Sequence, residues 1–152
     1  MDLIPKRTET YRHQSKKKQG QLVLVIVWGL FLCMNIFAEN LDSLLTLRSL
    51  DFHWNSSPNY MSFFNMVDIT EIHSYWFLVK SGHFIGFAIM NLLLYNLLGS
   101  YKKSIAITIS FAVGSEVLQL FFGRDGRLYD VVIDSMGVLT EYYFLRKIRK
   151  RK

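Results

Sequence analysis

One cysteine is present among 152 residues, and Cys33 has no intrachain partner, so a disulfide framework is excluded. Its simplest role is that of a small apolar residue. No internal repeat or low-complexity segment stands out, which argues against a transporter, whose alternating site usually lies between repeats. Neither Ser115 nor Ser135 lies in a Gly-x-Ser-x-Gly elbow, so that form of nucleophilic serine is missing. No tight His/Cys ligand motif occurs, and neither a metal nor any other cofactor is expected. Charge is wholly lacking between Leu22 and Ala38.

What the chain does contain is an unusual pairing for a soluble domain: 51% hydrophobic residues, 15% aromatic residues and a net charge of +6. The two are compatible if apolar residues form blocks with the charges at their borders. Four such blocks occur: residues 22–38, 75–98, 104–122 and 128–145. The second is interrupted by Lys80, His83, Asn91 and Asn96, the third by Glu116 and Gln119, and the fourth by Asp130, Asp134 and Glu141. About 20 residues of helix cross a hydrocarbon core of roughly 30 Å. The expected fold class is therefore an all-α membrane protein with four transmembrane helices. The first block follows a basic segment, as a signal peptide does. Its apolar run is longer than a signal core, and Ile36-Phe37-Ala38 lacks the small residue at the outer cleavage position, so an uncleaved span is expected.

Lys and Arg set the orientation. Residues 1–21, 99–103 and 146–152 hold 14 of the 18, which places both termini and the connection between the second and third spans in the cytoplasm. The chain divides accordingly into a basic tail (1–21), a four-helix membrane domain (22–145) and a second basic tail (146–152). Lys16-Lys17-Lys18 and the run from Arg146 to Lys152 read as juxtamembrane clusters on anionic lipid, not as nucleic-acid patches. Residues 39–73 form an outer loop. With Phe52, Trp54, Tyr60, Phe63 and Phe64 it is expected to lie partly on the membrane surface, and Pro58 marks a turn. His53 and His73 are most simply interfacial.

In this topology the polar interruptions converge. Lys80 and His83 begin the second span, Glu116 and Gln119 lie near the end of the third, and Asp130 and Asp134 begin the fourth. Arg124, Asp125 and Arg127 occupy the turn between the last two. Each helical pair is three or four residues apart and so shares a face. Glu116 and Asp134 lie about 9 Å below the outer boundary at 1.5 Å per residue. A carboxylate costs about 2.5–3.5 kcal/mol at a helix centre, so these faces must point into the bundle. Two uses are open: a closed salt-bridge network holding three helices in register, or a ligand site. The ligand-binding candidates are Lys80, His83, Glu116, Gln119, Arg124, Asp130 and Asp134. For acid–base catalysis the candidates are His83, Glu116 and Asp134. Gly82, Gly86, Gly114 and Ser135 with Gly137 offer close helix approach, while Asn91 and Glu141 offer interhelical hydrogen bonds or a polar path inward.

The segment from Lys80 through His83, with Glu116 to Gln119, Gly123-Arg124, Asp130, Asp134 and Gly137, resembles the VanZ-like family of small bacterial membrane proteins. The match covers about 60 residues; Leu118 stands where relatives often have histidine, and Phe122 where proline often precedes Gly-Arg. The family is named for a protein linked to resistance to teicoplanin, a lipid-tailed glycopeptide antibiotic. The resemblance implies a multi-pass protein of the bacterial cell membrane that recognises a lipoglycopeptide or a lipid-linked envelope precursor at the outer leaflet. A membrane-embedded hydrolase or transferase, or an assembly partner of another membrane protein or of its own copies, is the alternative.

Overall fold

The computed structural model describes residues 4–37, 54–67, 74–122 and 126–151. They form four helices in chain order: α1 (Ile4–Phe37), α2 (Ser74–Leu98), α3 (Tyr101–Phe121) and α4 (Leu128–Arg149). A short 3-10 helix (Tyr60–Phe64) lies between α1 and α2, and no strand occurs among the described residues. Arg12–Met34, Phe77–Leu98 and Tyr101–Phe121 are long and apolar enough to cross a membrane. α4 has comparable length at 22 residues but carries Asp130, Asp134 and Glu141.

Local chemistry explains the boundaries. α1 starts well before the first apolar block, because the Lys, Arg, Gln and Glu residues of the basic segment are themselves good helix formers. Tail and apolar stretch are thus one 34-residue element. Gly99 ends α2 in the left-handed region (φ 67°), and its N–H donates to the Tyr95 carbonyl at 2.8 Å, the arrangement that glycine makes cheap at a helix end. α4 carries Asp130 in its first turn and Arg146, Lys147 and Arg149 in its last, signs that suit the helix dipole.

The packing is inverted relative to a water-soluble bundle. Glu116, Asn91, Thr108, Asp134, Ser104 and Ser115 are among the most completely buried side chains, whereas Leu24, Val27, Leu30, Phe77, Val132 and Phe144 are more than half exposed. So much exposed apolar surface matches hydrocarbon surroundings. An apolar core remains, made of Leu32, Phe87, Met90, Leu94, Ala112 and Val138. α2 and α4 run parallel and share a ladder of polar contacts: Lys80–Asp130, His83–Asp134, Asn91–Glu141 and Tyr95–Arg149. Of the small residues expected at close approaches, Gly86 and Gly137 sit against neighbouring helices, while Gly82 and Gly114 face open space.

α1 is fastened to α2 by Trp28, whose Nε1–H donates to the Gly86 carbonyl at 3.0 Å. Trp28→Phe keeps the aromatic bulk and deletes this donor. It is expected to cost about 1 kcal/mol in a reversible unfolding titration in detergent.

Candidate functional site

The polar side chains gather at the end of the bundle where α2 and α4 begin and α3 finishes. Lys80 Nζ lies 2.6 and 2.7 Å from the two Asp130 carboxylate oxygens, and 5.0 Å from the centre of the Tyr129 ring. One turn deeper on α2, His83 Nδ1 is 3.3 Å from Asp134 Oδ1 and 3.9 Å from Glu116 Oε1. The Asp134 and Glu116 side chains are fully buried, and the His83 ring lies over Phe87. Three helices therefore each contribute to one centre.

Glu116 also fastens the turn into α4. Its Oε2 accepts the Arg127 backbone N–H at 3.0 Å, and Arg127 is the N-cap of α4. In a capping box the third helical residue reaches back to this same N–H; here the carboxylate comes from a different helix. The approach is close enough that a Cβ on Gly126 would stand 2.0 Å from the Glu116 carbonyl oxygen, so the turn tolerates only glycine there.

Residues 54–67 pack over the same end. Trp54 stacks on Phe121 and meets Phe122 edge-on, with centroids 5.5 and 5.4 Å apart, and the Asn55 N–H donates to the Phe121 carbonyl at 2.7 Å. From the other side, the Arg127 guanidinium donates to the Ser62 carbonyl at 2.5 Å. Asn59 caps the 3-10 helix by accepting from the Met61 N–H, and Pro58 is buried in the preceding turn. The aromatic side chains of this segment thus bear on the end of α3 as well as on their surroundings.

The cluster is not a closed network. Among the described residues, His83 Nδ1, Glu116 Oε1 and both Asp134 carboxylate oxygens lack a hydrogen-bond partner of acceptable geometry. These atoms face one another across the junction of α2, α3 and α4. Asp130 takes Lys80, and His83 lies nearer to Asp134 than to Glu116.

Lys80, His83, Glu116, Asp130 and Asp134 are brought together, and Gln119 is buried beside the Gly126 turn. Arg124, Asp125, His53, His73 and Phe52 lie outside the described residues. Arg127, which sequence reasoning left in the turn without a role, is 5% exposed and joins α4 to both Glu116 and the 3-10 helix. The available signal was its place immediately before an apolar helix. Asn91 and Glu141, expected on facing surfaces further along, hydrogen-bond to each other.

A family model described as VanZ/LLP1 matches residues 19–149. An uncharacterized membrane protein of Bacillus subtilis (strain 168), YwnJ, is 33% identical over 133 residues, which cover 86% of this chain and 94% of that protein. No solved structure matches the chain.

Proposed function

Because this multi-pass membrane protein belongs to the VanZ/LLP1 family, we propose that its polar centre recognises an amphiphilic ligand at the outer leaflet, a lipoglycopeptide antibiotic or a lipid-linked envelope precursor. Recognition of the first kind would contribute to teicoplanin resistance. The observation that carries this reading is the set of buried polar atoms left unmet on His83, Glu116 and Asp134. A network serving only to hold helices together would be expected to satisfy its own members, because an unmet buried polar group costs roughly 1–3 kcal/mol.

The proposed topology follows the basic residues. With both termini cytoplasmic and four spans, residues 1–21, 99–103 and 146–152 face inward with 14 Lys and Arg, and the polar centre faces outward. Glu116 is five residues from the end of α3 and Asp134 six from the start of α4, so the centre lies roughly 7–9 Å inside the bundle. A ligand reaching that depth between lipid-facing helices needs both a polar head and an apolar body. Trp54, stacked on Phe121, and Tyr60, edge-on to the same ring, cover the end of α3 beside this centre.

Susceptibility of a deletion strain complemented with the wild type, Arg124→Lys or Glu116→Gln provides the test. The wild type is expected to raise teicoplanin tolerance, and both variants to return it to the level of the deletion strain at unchanged membrane abundance. Equal tolerance in the variants overturns the proposal. A second reading, acid–base hydrolysis or group transfer, draws support from the 3.3 Å approach of His83 to Asp134. Turnover of labelled envelope lipid by the purified protein separates it from binding alone.

A further inference from the structure

We infer that His83, Glu116 and Asp134 form a three-ligand site for a divalent transition-metal ion, Zn2+ fitting best, at the junction of α2, α3 and α4. Each residue comes from a different helix, and one ligand atom from each lies within 4.8 Å of the other two. Bonds of about 2.0–2.2 Å to a tetrahedral ion place neighbouring donors roughly 3.3–3.5 Å apart. The His83–Asp134 pair already stands at 3.3 Å, and the His83–Glu116 pair at 3.9 Å closes with a small side-chain adjustment.

The orphaned atoms are what point to an ion. Glu116 Oε1, both Asp134 oxygens and His83 Nδ1 make no hydrogen bond of acceptable geometry among the described residues, His83 and Asp134 approaching only as an ion pair, and both carboxylate side chains are fully buried. A proton on His83 Nδ1 could be donated to one of these three oxygens and would leave the other two unmet. A divalent cation engages Nδ1 and both carboxylates together and balances two negative charges where burying charge is most expensive. Glu116 is already oriented for this, because its other oxygen is held by the Arg127 N–H. Such second-sphere support is the usual companion of a metal ligand.

The donor set limits the ion. One imidazole with two carboxylates suits Zn2+ or Mn2+, whereas Mg2+ and Ca2+ prefer oxygen alone. Three protein ligands leave a tetrahedral ion one open position, as in catalytic zinc sites, at which a polar group of a ligand could bind. Lys80 and Asp130 are mutually paired above this centre and lie outside the proposed ligand set.

The inference uses the same open atoms as the proposed function and specifies what meets them. Its readout is metal content, so it can fail while the susceptibility phenotype stands, and the reverse. The full-length protein, purified in detergent, is stripped with a chelator and titrated with Zn2+, Mn2+ or Mg2+, with bound metal counted by mass spectrometry and the thermal midpoint recorded. About one equivalent of Zn2+ should bind and raise the midpoint, Mn2+ should compete, and Mg2+ should have no effect. His83→Gln and Asp134→Asn should each weaken Zn2+ binding by more than about tenfold. Wild-type protein that takes up no stoichiometric Zn2+, with a midpoint indifferent to the ion, overturns the inference without recourse to any variant. So does Zn2+ retained equally by folded His83→Gln and Asp134→Asn, which would place the ion elsewhere.

Discussion

Gly137→Ala is expected to destabilise the protein by about 3 kcal/mol or more, at the upper edge of ordinary overpacking. The added methyl carbon would lie 2.1 Å from the Phe84 carbonyl oxygen, 2.9 Å from its carbon and 3.2 Å from the Phe84 Cα. These are backbone atoms of α2, so no rotamer change relieves the contact and the two helices must separate. Separation would lengthen Lys80–Asp130 and His83–Asp134 on one side and Asn91–Glu141 on the other, since all belong to the α2–α4 interface. Gly114→Ala is the matched control: it is also mid-helix, and its added Cβ meets nothing within 4 Å. An equilibrium unfolding titration should show a large loss for the first and little change for the second. Similar stability in both would mean that α2 and α4 are not in this contact.

Lys80→Met should be the most damaging single change among the ion pairs, at about 3–5 kcal/mol, because it strands a buried carboxylate. Asp130 is 2% exposed, and Lys80 Nζ touches both its oxygens. The double variant Lys80→Met/Asp130→Leu should recover most of the loss, since an apolar pair of comparable volume avoids desolvating either charge. A double-mutant cycle by unfolding measures the coupling directly, with a value of about 2 kcal/mol or more expected. Near-zero coupling would show that the pair does not exist in the folded protein.

The helical architecture was legible because hydrocarbon imposes a length on apolar runs, and the blocks at 22–38, 75–98 and 104–122 meet it. The continuation of α1 into the basic segment was not, because apolar periodicity says nothing about a helix sustained by Lys, Arg and Gln propensity. The gathering of Lys80, His83, Glu116, Asp130 and Asp134 was legible for a different reason: polar residues three or four apart must face inward when the opposite face meets lipid. Which acid meets which base was not, since that depends on helix rotation and on backbone donors. The Glu116 carboxylate illustrates this, for its partner is a main-chain N–H that no side-chain pattern announces. Arg127 escaped notice because the role it plays at the start of α4 is backbone capping. The proposed metal-ligand set, drawn from three helices, likewise has no short spacing motif.

The divided bonding of Glu116 has a mechanical meaning. One oxygen holds the start of α4 in place and the other looks into the centre, so any displacement of this carboxylate is transmitted to the first turn of the next helix. That turn is also gripped from the opposite side, where Arg127 holds the carbonyl of Ser62. The centre and the segment above it are therefore joined through a single residue pair, Glu116 and Arg127.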